Sequence, residues 1–477
     1  MKKKLLLILA TFGFVFGLSA QQLTPDQMIS DLTVFKEALE AKHPEMYRYT
    51  SKEEYELLFE LVKKGMNHEM TVREFYLSMA PLVSALHCGH TKWILAGKDM
   101  YYQFYEDNLF PLKLYFDMDQ AFVLGHFAGK EVPISAELIS INDRPIGEII
   151  DLIKQNSSFG DGFSEGGKYY QLNHYFPALY STNFGIAEEY VVEIKIDGEI
   201  QKLSFSGISL NQIKTDSPEN QGDEGPFQFE IKERNVAWLD IDRFFAYPSE
   251  PDFKKFLKNS FTQINENPVD DLVIDLRGNE GGNENWGIEL YKYIAKEPFR
   301  YYERISVKQK QKVDFESKTS TLFKLATLFN KNGKYGKEFT VQKGLKKQKP
   351  YKIAYGGRVY LLLDGQSFSV TTEFASRAKS DGRVTIIGSE TAGGYAMNTS
   401  GFFSIVTLPN SKIDLGIPLL GFHMENLTDV NPMDRGILPD YPVEVTVQDI
   451  IGKTDPIMDF SLELIKKPKF IISQPAL

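Results

Sequence analysis

A single cysteine, Cys88, occurs in the 477 residues, so no disulfide can form within the chain. Stability must come from packed cores, which a chain of this length is able to build. Positive charge is also in short supply: the net charge is −10 and the pI about 5.4. With no global basic field, nucleic acid is not an expected partner. Local clusters at Lys346, Lys347 and Lys349, and at Lys466, Lys467 and Lys469, read as solvated faces. Zinc spacing is missing too, because His87 and His90 lack the Glu and the four-residue step of a helical zinc motif. The sequence calls for no metal and no cofactor. No segment after residue 16 reads as a membrane span.

The one long apolar run stands at the start of the chain. Lys2-Lys3-Lys4 forms a positive region, Leu5 to Phe16 an apolar one, and Gly17-Leu18-Ser19-Ala20 supplies small residues before Gln21. Residues 1–20 therefore read as a secretory signal cleaved after Ala20. No cysteine lies at the cleavage point to take a lipid. The expected destination is the periplasm, the cell envelope or the exterior.

Three regions follow. In 21–98, Thr24 with Gln27, Ser51 with Glu54 and Thr71 with Glu74 are three capping boxes, and Met28, Leu32, Phe35 and Leu39 give the first helix an apolar face. This region reads as a helical domain. In 99–225 short alternating runs take over, with strands over Phe110 to Phe116 and Tyr190 to Ile196. In 226–477 near-continuous apolar strands (Val236 to Phe245, Asp271 to Leu276, Val359 to Leu363, Val384 to Ile387) alternate with helices, the pattern of a sheet covered on its faces. A Lys-rich segment around 306–352 interrupts this region and reads as an inserted helical excursion or lid.

Two turns carry candidate chemistry. Asp275-Leu276-Arg277-Gly278-Asn279-Glu280-Gly281-Gly282 follows a strand, and its glycines let another backbone approach and let amides face an anion. It lacks the spacing and the Lys-Ser/Thr pair of a P-loop. Leu363-Asp364-Gly365-Gln366-Ser367-Phe368-Ser369 runs into a helix at Val370. A serine there gains from the helix dipole and free amides, although an N-cap serine is equally at home in that place.

Taken in order, these two turns and Gly382-Arg383-Val384-Thr385-Ile386-Ile387-Gly388-Ser389-Glu390-Thr391-Ala392-Gly393-Gly394 resemble the serine peptidase family of C-terminal processing (tail-specific) and tricorn proteases. Val236 to Ile241 and Asp434 to Asp440 fit the same pattern. Ala136 to Ile146, a strand ending in Ile-Asn-Asp-Arg-Pro-Ile, resembles the centre of a PDZ domain, without a Gly-Leu-Gly-Phe carboxylate loop. The resemblance implies a multidomain α/β fold: a ClpP/crotonase-like core over 226–477, an N-terminal helical domain and a PDZ-like β-rich domain. It implies Ser369 as nucleophile, Val370 and Gly281 as oxyanion donors, and peptides or proteins as substrates.

A Ser-Lys dyad would put Lys near 394, which is Gly. The tricorn-like branch takes an upstream His, and Gly89-His90-Thr91 resembles its signature, so His90 is favoured over His87, with His423 the rival. Gly89 is expected in the left-handed region, ending the third helix. The resemblance also implies an acid shortly before Gly436-Ile437-Leu438-Pro439-Asp440 to orient the His90 ring, and the nearest candidate is Asp434, with Glu425 and Asp440 as alternatives. A non-catalytic peptide- or lipid-binding protein on the same scaffold is the competing reading. An acyl-CoA enzyme is a third, disfavoured by the export signal.

Overall fold

The computed structural model describes residues 22–216, 225–232, 235–309 and 313–466. The secretory signal expected over 1–20 and two members of the terminal Lys cluster, Lys467 and Lys469, lie outside the described residues.

Helices Pro25–Lys42, Lys52–Gly65 and Val72–Ser84 begin at Thr24, Ser51 and Thr71, and all three capping boxes close reciprocally. Met28, Leu32, Phe35 and Leu39 are buried on the first helix, so the spacing of its apolar residues did select its inner face. That face packs against Trp93, Leu95, Ile413 and Leu415. Asp31 on the same helix is fully buried and accepts from Asn410 N–H (2.9 Å), Asn410 Nδ2 (2.8 Å) and Ser411 N–H (2.7 Å). One helical carboxylate thus ties the N-terminal helices to the tip of a long hairpin, Met397–Thr407 with Ile413–Met424.

A second sheet joins Leu112–Asp117, Gln120–His126, Glu137–Ile141, Glu189–Ile196 and Glu199–Ser206 in sequence order. Helices Ile146–Gln155 and Gly166–Phe184 bury Ile149, Ile150, Leu172 and Phe176 against it.

The largest core surrounds a six-stranded sheet. Its order is Phe227–Lys232, Val236–Ile241, Asp271–Asp275, Arg358–Leu363, Thr385–Gly388 and Tyr441–Pro442, parallel except for the first pair. Leu272, Ile274, Leu361 and Leu363 are fully buried, as expected for parallel strands covered on both faces. Both glycine- and serine-bearing turns leave the carboxyl ends of the neighbouring strands Asp271–Asp275 and Arg358–Leu363, the end of an open α/β sheet where sites form. The multidomain α/β architecture expected from the sequence is the one observed.

The Lys-rich segment departs from expectation. Among its described residues the only α-helix is Thr321–Ala326, followed by the 3-10 turn Thr327–Phe329 and later by a second at Lys343–Leu345; Lys318–Thr319 pairs with Met397–Thr407, and Lys331–Gly333 forms a hairpin with Gly336–Glu338. Lys334 and Tyr335 make that hairpin's turn and Gly336, at φ +119°, opens its second strand, so turn chemistry outweighed the helix-forming lysines. Asp31→Ala removes the carboxylate that accepts from the buried Ser411 N–H and from two Asn410 donors. It is expected to lower stability by about 2–4 kcal/mol, read from urea unfolding.

Candidate active site

The two turns are locked together before any catalytic group is considered. Asp364 accepts from the Gly278 N–H (3.0 Å to Oδ2) and from the Gln366 and Ser367 N–H groups (3.0 Å each). Ser367 Oγ donates to Leu276 O at 3.0 Å, and Phe368 N–H donates to Asn279 O at 3.1 Å. Fully buried Asn279 reaches Ile241 O with its amide nitrogen (2.8 Å). At the closest approach, a Cβ on Gly281 would stand 2.8 Å from Ser369 Cβ and 2.8 Å from Val370 N, and its φ is +98°. Only glycine fits there.

Ser369 precedes helix Val370–Ser380 at φ +55°, ψ −122°, and its side chain makes no capping hydrogen bond. The N-cap reading is therefore set aside. A non-glycine residue in this region costs about 1–3 kcal/mol, and such geometry recurs where a nucleophile is held on a sharp strand-to-helix turn. Val370 is the first helical residue, so its N–H has no intrahelical acceptor. The Gly281 N–H, by contrast, donates to Asn279 Oδ1 at 2.8 Å. An open cleft of about 610 Å³, bordered by Asp242, Phe245, Glu280, Gly282 and Gln366, lies over the glycine-bearing turn at Gly281.

His90 comes from the opposite end of the chain. Strand Lys92–Leu95 adds to Ile413–Met424, with Lys92 opposite Gly416, and so brings the preceding turn to the core. The His90 ring stacks on Phe368, neighbour of Ser369, with centroids 4.4 Å apart and planes at 24°. Gly89 is not left-handed; His87 is, at φ +47°. Gly89 is needed for space instead, since a Cβ would lie 2.7 Å from the Phe368 ring and 2.8 Å from Gly160 N. His87 turns away and pairs through Nδ1 with Gly162 O at 3.0 Å.

The structure does not bring the expected acids to His90. The Asp434 side chain is exposed, and its contribution is a main-chain carbonyl that accepts from Phe163 N–H at 2.9 Å. Glu425 pairs with Arg300 (2.9 Å), and Asp440 with Lys379 (2.8 Å) and the Ile386 N–H (2.8 Å). The rival base His423 is engaged with Glu45 at 2.9 Å and Arg304 at 3.2 Å. Nδ1 of His90 is buried without a partner. Burial, with Lys92 nearby, pushes the pKa of His90 down to about 3, so the ring is neutral at ordinary pH.

Two buried carboxylates near the site escaped the sequence reading. Asp161 accepts from Gly89 N–H (3.0 Å) and Gly394 N–H (3.3 Å), which clamps the His90 turn to the Gly393-Gly394 turn. Glu373, one helical turn beyond Ser369, accepts from the Tyr302 hydroxyl (2.5 Å) and Asn398 Nδ2 (2.9 Å). Burial raises each to about 7. The four-residue step from Ser369 was a usable signal for Glu373. Asp161 had only its flanking Gly160 and Gly162 to mark it.

The depressed His90 pKa has a thermodynamic consequence. As pH falls from 6.5 toward about 3, the unfolded chain takes up a proton on His90 that the folded chain refuses, so stability falls over that window. Asp161 acts in the opposite sense: its raised pKa makes the folded state less stable as pH climbs from 3.8 to about 7. His90→Phe keeps the stack and removes the first effect alone. Between pH 7 and pH 5, the unfolding free energy read from urea titrations should fall less in this variant than in the wild type, by about 2 kcal/mol.

The sequence profile of peptidase family S41 matches residues 235–443, which include both turns and Ser369. The crystal structure of mature CPAF is similar in fold, with a TM-score of 0.62 at 14% identity over 94% of this chain and 99% of that one. Mature CPAF complexed with lactacystin gives a TM-score of 0.62 at 15% identity, covering 93% of this chain and 98% of that one. No curated protein sequence matches the chain. Residues 235–443 carry the match to peptidase family S41, and on it the chain is a peptide-bond hydrolase with peptides or proteins as substrates.

Proposed function

We propose that the protein is a serine peptidase that works through an acyl-enzyme on Ser369, with His90 as general base. The observation that carries this reading is Ser369 itself. It is held at φ +55° with no capping hydrogen bond, against Gly281, and beside a histidine stacked on its neighbour Phe368. A desolvated neutral imidazole is in the right protonation state to take the Oγ proton. Oγ then bonds to the scissile carbonyl carbon, and the proton passes to the departing amine nitrogen as the C–N bond breaks. Water, deprotonated by the same imidazole, releases the acid and restores Ser369.

The Val370 N–H supplies one oxyanion donor, typically worth about 3 kcal/mol. Gly281 supplies the second when its N–H exchanges Asn279 Oδ1 for the oxyanion. Asp161 serves as scaffold for the His90 turn through Gly89, and no carboxylate completes a triad in this reading. Gly394 at the position of the family's dyad lysine supports the histidine-based, tricorn-like branch. The peptidase assignment disfavours the non-catalytic alternative. The Lys-rich start, apolar run and small residues of 1–20 support an exported enzyme, and the 137–155 strand-turn-helix supports a PDZ-like role for the second sheet.

Ser369→Ala is expected to abolish peptide hydrolysis and fluorophosphonate labelling while the urea midpoint holds. His90→Ala should lower kcat by roughly 10³-fold or more. Turnover persisting in Ser369→Ala would overturn the assignment. Asp434→Asn should stay within about threefold of wild-type kcat/KM, and a loss of about 100-fold would return Asp434 to the site.

A further inference from the structure

The charge of this chain is distributed very unevenly. Residues 306–352 hold thirteen lysines, no arginine and three acids, within a protein whose net charge is −10. The peptidase mechanism uses none of these residues.

The fold gives this segment two apolar faces. The inner one is pinned: Phe323 (9% exposed) and Phe339 (4%) belong to the main core, and Phe323 meets Phe402 at 5.2 Å between centroids. Thr340 Oγ1 donates to Phe329 O at 2.7 Å, which fixes the end of the helical turn against the hairpin. The outer face carries Leu322, Leu325, Leu328 and Phe329, exposed by 66%, 56%, 76% and 67%. The same stretch of chain carries the exposed lysines Lys318, Lys324, Lys331 and Lys334. Of these, Lys331 meets an acid, Glu338, at 3.7 Å.

We infer that this face docks on the surface of an anionic lipid bilayer. Exposed large apolar side chains interspersed with exposed lysines match the acyl–headgroup boundary of such a membrane, where each, apolar and cationic, finds its complement. At six residues, helix Thr321–Ala326 lies on the surface rather than crossing it. A protein partner fits less well. Protein interfaces favour arginine and exclude lysine, and this segment contains lysine alone. A second copy joined through a two-fold axis would set two lysine-rich faces against each other. The face continues into the site's neighbourhood: Lys318 pairs in register with Ile405, and Phe403 on the same strand lies 6.3 Å from the His90 ring. Docking here would turn that strand toward the bilayer.

The test is vesicle co-sedimentation of the full chain, so that the N-terminal apolar run is common to every sample. Vesicles of equal parts phosphatidylcholine and phosphatidylglycerol are compared with phosphatidylcholine alone. Binding should be at least about tenfold stronger to the mixed vesicles and should weaken as salt rises. Leu325→Ser with Phe329→Ser, and separately Lys324→Glu with Lys334→Glu, should each cut it about tenfold while hydrolysis of a soluble peptide is unchanged. Equal binding to both vesicle types, or variants that bind as wild type, would overturn the inference. So would variants whose effect is instead to abolish a concentration-dependent dimer in sedimentation velocity.

Discussion

The contact of Gly281 with Ser369 is the constraint on which the rest of this site depends. Two turns from adjacent parallel strands must meet with almost no side-chain volume between them, and a Cβ at 281 would sit 2.8 Å from that of Ser369. Asp364, Ser367 and Asn279 hold the meeting in place by giving the turns' polar groups partners inside the protein. The strain at Ser369 persists because these surroundings leave it no relaxed alternative. The same packing that makes the backbone costly leaves the hydroxyl uncommitted.

His90 reaches this point by an indirect route. The helical region buries its apolar face against the long hairpin of the core, Asp31 clasps the hairpin tip, and Lys92–Leu95 joins the hairpin as a strand. The turn before that strand is then trapped between Phe368 and the Asp161 carboxylate, where Gly89 alone has room. Stability and the placement of His90 are coupled here, because loosening the N-terminal helices would move its ring. The ring is kept neutral by the burial that positions it. The unpartnered Nδ1 is the cost of taking a histidine from a separate region, with no acid travelling alongside it.

Electrostatics divides the molecule in a second way. Acidic groups crowd the carboxyl ends of the core strands, where Asp242 and Asp275 help raise Asp240 to about 7 after burial has done most of the work. Lysines gather on the 306–352 segment, which packs on the other sheet. A polarised chain of this kind orients in a field or against a charged surface, whatever its net charge.

Much of this protein was legible in its residues because the signals were local. Hydroxyl and Glu or Gln at three-residue spacing determined the three helix starts, apolar runs determined the core strands, and the paired turns marked Ser369. Those features depend on short stretches whose backbone preferences agree with the final fold. The rest required distant segments to meet. Gly89 looked like a left-handed helix end, yet it is small because Phe368 and Gly160 crowd it. Asp434 stood in the expected motif, but its main chain rather than its carboxylate was used. Asp161 and Glu373 became buried charges only through packing across the chain. Sequence determined which residues had the chemistry to act. Tertiary structure decided which of them met, because burial and backbone clearance are properties of neighbours that no single segment contains.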